Sequence, residues 1–274
     1  TSSERIPRAT ATKIIDVVMN NVIKPLGLEP VLKAGSTEDN PDLLGGVPTK
    51  TLGDIDLIVS VEDVDTLITK LKGLLYLKDE LVKGIPRVYP LGFGSARTGA
   101  AIMIDLNGVY YQVDLFASTR ESIDDRAWEL AGGGEGRARG EYRVLMFSLL
   151  AKIKGEREST PDETIKYTIV FPGGWRKKID GIADESGRIV DPDDYLPLLG
   201  IDSPKSEVRT FEALVSHMAA YSTSEFKEAL ERFEEYIGHK LKAKDENKRA
   251  SAQKAVDVVN AALSGMGFSI PEEE

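Results

Sequence analysis

The sequence predicts an α/β protein: a small mixed sheet with flanking helices, followed by a helical C-terminal region. Three observations point there. Short apolar runs alternate with period two, above all around residues 54–59, and read as strands. Two β-rich runs, 100–106 and 109–116, meet at Asn107-Gly108, the pair suited to a two-residue type I′ hairpin. Beyond Glu207 the apolar residues step by three and four, through Phe226, Leu230, Phe233, Ile237 and Leu241 and then Val256, Val259 and Leu263.

Taken in order, residues 11–23 set Ile14, Ile15, Val18, Val22 and Ile23 at helical spacing, and Pro25 with Gly27 ends that helix. Residues 30–34 form a short apolar strand that runs into Gly35-Ser36. A polar loop over 37–50 contains the turn pairs Asn40-Pro41 and Gly45-Gly46. The next strand begins near Asp54 and ends at Val59. Ser60, followed by Asp63, then predicts a capped helix over 61–75. After the hairpin come a helix closing over 128–131, a glycine-rich connector over 132–140, and an amphipathic helix over 142–154 with Leu145, Leu149 and Ile153 in register. Composition shifts after Gly155. Residues 167–171 read as a strand, Pro172-Gly173-Gly174 as a turn, and 179–190 as short strands around Glu185-Ser186-Gly187. Gly265 and Gly267 stop the last helix. The predicted organisation is a first domain over 1–158, a small β-rich connecting segment over 159–204 and a helical domain over 205–274.

At 41% apolar and 29% charged residues the chain is ordinary globular material, which excludes disorder and fibrous folds. No apolar run approaches the roughly 18 residues of a membrane span. The polar start Thr1-Ser2-Ser3-Glu4-Arg5 is not that of a signal peptide, so the expectation is a cytoplasmic protein with no membrane partner. Cysteine is absent, which excludes disulfides, thiol nucleophiles and thiolate metal sites. His217 and His239 fall in helical segments and read as packing or surface residues. A net charge of −10 repels nucleic acid overall, so any grip on it must be local. The basic-aromatic stretch Trp175-Arg176-Lys177-Lys178 is one such local patch; the alternative is a solvated strand end. The chemistry must come from oxygen ligands, hydroxyls, Lys or Arg, an inventory suited to a divalent metal.

Three carboxylates stand out: Asp54 and Asp56 in Gly53-Asp54-Ile55-Asp56, and Asp114 in Gln112-Val113-Asp114-Leu115-Phe116. Period two puts Asp54 and Asp56 on one face of their strand, with Ile55, Leu57 and Val59 on the other. Neighbouring anions repel unless a cation sits between them, and a pair of Mg²⁺ ions prefers such oxygens. If Asn107-Gly108 is the whole loop, Leu106 pairs with Val109 and Asp114 pairs with Ala101, a residue too small to crowd a metal. Asp105 shares that face but lies roughly 13 Å down the neighbouring strand, which favours Asp114 as the third ligand. Gly35 and Ser36, read as a strand-to-helix corner, offer backbone N–H groups and a hydroxyl to a phosphate. Ser36 also fits a plain helix cap, which uses the same N–H groups.

Ala34-Gly35-Ser36, Asp54-Ile55-Asp56 and the later Asp114 resemble, in that order, the h-G-S, D-h-D and third-acid motifs of the DNA polymerase beta-like nucleotidyltransferase superfamily. The resemblance spans residues 10–155. It implies a nucleotidyltransferase-type mixed sheet and a catalytic domain over 1–158. It also implies transfer of a nucleoside monophosphate from a nucleoside triphosphate, such as ATP, to an acceptor hydroxyl with release of pyrophosphate. Asp54, Asp56 and Asp114 would then bind two Mg²⁺ ions, or Mn²⁺, and Gly35 and Ser36 would position the β- and γ-phosphates. This chain departs from the pattern in two ways: 17 residues separate Ser36 from Asp54, and Thr37-Glu38-Asp39 stands where basic residues often follow the serine. Lys50, Arg87 and Arg97 remain as alternative cations for the triphosphate. The acceptor is open between RNA, protein and a small molecule. Alternatives to the general transferase are a non-catalytic nucleotide-binding regulatory module and an RNA- or tRNA-directed nucleotidyltransferase toxin.

Overall fold

The computed structural model describes residues 5–77, 89–93, 96–170 and 173–266. The chain packs as two compact units, Thr1–Glu135 with Val170–Gly173, and Gly136–Ile169 with Gly174–Glu274.

The first unit opens with β1 (Ile6–Pro7) and a helix that runs as α1 (Arg8–Val18), a π-helical turn (Met19–Ile23) and α2 (Lys24–Leu26). Ala11, Ile14, Val18, Val22 and Ile23 are buried along it, while Ile15 is only partly so. Gly27, at φ 65°, closes the helix in the left-handed conformation that a glycine adopts without strain. There follow β2 (Val31–Ala34), the single turn α3 (Pro41–Leu44), β3 (Thr51–Leu52), β4 (Ile55–Ser60) and α4 (Val64–Leu77). Helix α4 starts later than expected. Ser60 stays in β4 with its hydroxyl donating to the Pro30 carbonyl at 2.7 Å, and Asp63 caps the helix by accepting the Thr66 N–H at 2.7 Å. Then come β5 (Tyr89–Phe93), β6 (Ala96–Leu106), β7 (Val109–Ser118) and α5 (Ile123–Glu129).

β1 pairs with β3, and the other five strands form one mixed sheet in the order β2-β4-β7-β6-β5. Strands β4 and β7 run parallel and the remaining pairings are antiparallel. Alternation sorts the sheet's two faces. Ile55, Leu57, Val59, Val113 and Leu115 join Ile102 and Ile104 in a buried cluster with α1 and α4. Ile58 and Phe116 meet Ala34 and Ile123 on the other face, beneath α5. The expected α/β class, a mixed sheet with flanking helices, is what the chain forms.

In the second unit, α6 (Gly140–Glu158) buries Leu149 and Ile153 together with Tyr142, Met146, Phe147 and Leu150, a wider face than the single stripe expected. Strands β8 (Ile165–Val170), β9 (Gly174–Ile179) and β10 (Ile182–Ile189) form a three-stranded sheet. The hairpin turn lies at Asp180-Gly181 (φ 48° and 82°), whereas Glu185-Ser186-Gly187 falls inside β10 as an irregularity of register. An Asp-Gly pair favours such a turn for the same reason as Asn-Gly: both positions take positive φ. Trp175 is buried and stacks on Tyr167 at 4.6 Å, so its ring is unavailable to a nucleic-acid base. A short α7 (Pro192–Tyr195) precedes α8 (Phe211–Tyr221), α9 (Ser224–Leu241) and α10 (Glu246–Gly265). Thr210, Thr223 and Asp245 cap the last three through side-chain oxygens that accept first-turn N–H groups. Phe226, Leu230, Phe233, Ile237, Val256 and Val259 are buried, as their spacing requires. His217 packs against the Tyr221 and Phe226 rings, and His239 is exposed. Among the described residues no helix is long and apolar enough to cross a membrane.

Candidate metal centre

Residues Asn107 and Gly108 take φ 54° and 82°, so the hairpin turns in two residues and its register follows. Leu106 pairs with Val109, and Ala101 with Asp114, as the sequence predicts. On the other side, β7 runs parallel to β4 with Asp114 opposite Asp56, and Asp56 in turn pairs with Ala34 of β2. One row across the sheet therefore reads Ala34, Asp56, Asp114, Ala101: two carboxylates flanked by methyl groups. Asp54, exposed in the bend before β4, adds a third. One carboxylate oxygen from each of Asp54, Asp56 and Asp114 lies within 4.8 Å of the others. Asp105 is not among them. It pairs with Tyr110 near the hairpin tip, and its carboxylate braces the turn by accepting the Gly108 N–H at 2.8 Å.

Asp114 is only 9% exposed. Burial raises its carboxyl above the ordinary carboxylate range; a hydrogen bond from Gln112 Nε2 to Oδ1, at 2.8 Å, opposes the rise, and the charge of Asp54 adds to it. The donor set is three hard oxygens without imidazole or thiolate, which fits Mg²⁺ or Mn²⁺. The like charges gathered there make the protein's own environment favour a cation.

The Gly35-Ser36 pair abuts this row. Gly35 has φ 55°, which glycine adopts without strain, and a Cβ on it would stand 2.8 Å from Asp56 Oδ2 and displace that carboxylate. The turn is tied down on both sides. Gly35 N–H donates to the Leu130 carbonyl at 2.8 Å, and buried Thr37 accepts the Asp56 N–H on its hydroxyl at 2.8 Å. Ser36's carbonyl accepts from Arg8 Nη2 at 2.9 Å, while its N–H and hydroxyl have no hydrogen-bond partner among the described residues. The expected strand-to-helix corner does not form. Ser36 lies in a turn, and the next helix begins at Pro41 with Asn40 as its cap, so Ser36 is no helix cap.

Of the expected cations, Lys50 is exposed and forms no ion pair among the described residues. The backbone of Arg97 pairs with Gly92 on β5, its side chain lies outside the described residues, and so does Arg87. Sequence reasoning missed three residues. Arg8 holds the turn by donating to Ser36 O and, at 2.6 Å, to Thr49 O; burial lowers its pKa while Asp39 and Glu38 oppose that. Its partners lie 28 and 41 residues away, beyond any local signal. Gln112 orients Asp114 from two positions earlier on the same face, a spacing the sequence does display. Gly132, in the stretch read as a connector, is buried against the Gly35–Ser36 backbone. No protein-family model matches the chain, and no curated protein matches it.

Proposed function

We propose that the protein is a Mg²⁺-dependent nucleotidyltransferase on a polymerase beta-like sheet, moving a nucleoside monophosphate from a nucleoside triphosphate to an acceptor hydroxyl. One observation carries the reading. Three carboxylates converge within 4.8 Å beside a glycine-serine turn whose serine N–H and hydroxyl have no partner among the described residues. Anion-repelling and anion-accepting groups side by side suit a ligand that is itself a metal-bound polyphosphate.

Asp54, Asp56 and Asp114 would hold Mg²⁺ or Mn²⁺, which supplies Lewis-acid polarisation of the phosphoryl oxygens and neutralises developing charge. Ser36 donates its N–H and hydroxyl to terminal phosphate oxygens, and Arg8 fixes the turn from behind. The acceptor oxygen bonds to the α-phosphorus, the α–β bridging P–O bond breaks, and pyrophosphate leaves with that electron pair. Asp114, whose burial raises its proton affinity, is the carboxylate suited to take the hydroxyl proton, and Gln112 holds its other oxygen.

The test is to incubate the protein and Mg²⁺ with each α-labelled nucleoside triphosphate against total RNA, primed DNA, protein extract and aminoglycosides. Label should pass to one acceptor class and stop in excess chelator. RNA as that class would identify an RNA-directed enzyme. Mg²⁺-dependent triphosphate binding without transfer to any acceptor would instead mark a regulatory module. The absence of both triphosphate binding and transfer would refute the proposal.

A further inference from the structure

We infer that Gly132 is a positioning residue for the triphosphate, an inference that rests on the nucleotidyltransferase reading. After α5 the chain turns through Leu130 and Ala131, and Ala131 forms a parallel bridge with Gly35. Gly132 then lies flat on the Gly35–Ser36 peptide. A Cβ there would stand 2.5 Å from both the carbonyl carbon and oxygen of Gly35 and 3.0 Å from the Ser36 nitrogen. Gly35 is itself pressed against Asp56, with 2.8 Å from its would-be Cβ to Oδ2. The order is thus Gly132, the Gly35–Ser36 peptide, the Asp56 carboxylate: two bare backbones stacked behind a metal ligand. A side chain at 132 would push that peptide toward Asp56 or turn it over, and either movement re-aims the Ser36 N–H. The glycine-rich stretch is the back wall of the phosphate-binding turn, and its first glycine sets the turn's depth.

Two residues on, Gly134 supplies an internal control. It is also buried, and its Cβ would stand 2.5 Å from the Val47 carbonyl oxygen, with backbone atoms of Gly46 and Val47 as its nearest neighbours. Neither glycine takes positive φ, so alanine at either site meets only the backbone contact. Gly132→Ala and Gly134→Ala should therefore destabilise the fold to a similar degree and differ at the turn.

The experiment measures Mg·ATP and Mg·tripolyphosphate affinity by calorimetry for the wild type and both variants, together with Mn²⁺ affinity and the amide resonances of Ser36 and Thr37. Gly132→Ala should weaken both polyphosphates by at least about tenfold, the loss that goes with one displaced hydrogen bond to a charged group. It should also shift the Ser36 amide. Gly134→Ala should leave polyphosphate affinity within about threefold and the Ser36 amide in place, since its contact is with Val47 instead. Mn²⁺ affinity should fall less than polyphosphate affinity in Gly132→Ala, because the carboxylates remain. Equal weakening in the two variants, or an unmoved Ser36 amide in Gly132→Ala, would overturn the inference alone. A wild-type protein that binds neither polyphosphate would overturn the nucleotidyltransferase reading and this inference with it.

Discussion

Replacing Asp54 with Asn should make the protein more stable without metal and less responsive to it. The Asp54 and Asp114 ligand oxygens lie within 4.8 Å of each other, and the charge of Asp54 disfavours ionisation of Asp114. Two unit charges at that separation repel by about 3.5 kcal/mol at an effective dielectric of 20 and by about 0.9 kcal/mol in bulk water. Asp114 is buried and Asp54 exposed, so the true value lies toward the lower limit. Asp54→Asn keeps the shape and removes that repulsion, a gain of roughly 1 kcal/mol and a rise in Tm of a few degrees. Magnesium acts in the opposite sense. Saturation at about a hundred times Kd adds roughly 2.7 kcal/mol to the wild type, and the variant loses most of that. Melting in chelator and in excess Mg²⁺ should therefore reverse the order of the two proteins. A variant that melts below the wild type in chelator would show that attraction rather than repulsion dominates the cluster. An equal Mg²⁺ shift in both would remove Asp54 from the ligand set.

Asp114→Ala should lower the transfer rate by orders of magnitude, whereas Asp105→Ala should change it by less than about threefold, under roughly 1 kcal/mol of barrier; steady-state rates with the labelled acceptor decide, and the reverse pattern would sink the assignment. In chelator, Asp114's raised pKa means that the folded state binds more protons than the unfolded chain above the reference value of 3.8, so stability falls as pH rises until the group is fully ionised. Asp114→Asn lacks that fall, and its stability advantage should be small near about pH 4 and grow toward about pH 7, as urea melts across that range would show; a pH-independent advantage would contradict it. Glu129 is fully buried and pairs with buried Arg126 at 2.8 Å, while also accepting the Gly173 N–H. Glu129→Ala should cost about 3–5 kcal/mol of unfolding free energy by removing one partner of a buried ion pair, and a loss below about 1 kcal/mol would show that the site relaxes or hydrates.

One half of the carboxylate row, Asp114 beside Ala101, was legible because short-range rules fix it, whereas the pairing of Asp56 with Asp114 joins distant segments. A two-residue Asn-Gly turn sets the register, and period two sets the face, so Asp114 against Ala101 follows without any long-range knowledge. The helix stripe from Phe226 to Ile237 was legible for the same reason. Other features depend on competition between equally good local signals. Asp63 and Ser60 both suit a helix cap, and Ser60 was drawn into β4 by its bond to the Pro30 carbonyl. Asp180-Gly181 and Glu185-Ser186-Gly187 both suit a turn, and strand pairing chose the first. What the sequence hid altogether are contacts made by backbone or over long separations. A glycine's packing leaves no trace in composition, so Gly132 reads as slack chain although it lies against Ser36. Arg8 gives no hint of reaching Thr49.

The parallel row of Asp56 and Asp114 has a consequence for how the chain finds its fold. A one-residue slip of β7 against its neighbours would turn Asp114 into the apolar cluster with Ile55 and Leu57 and carry Val113 and Leu115 out to the opposite face. An unpaired carboxylate in that cluster would have to be desolvated or protonated, a penalty of several kcal/mol. The misaligned sheet is thus rejected by the same charge that, in the correct alignment, faces the carboxylates of Asp54 and Asp56. Neutralising Asp114 would remove a proofreading element from folding as well as a ligand, so its Asn variant should gain equilibrium stability while becoming more tolerant of misregistered strands.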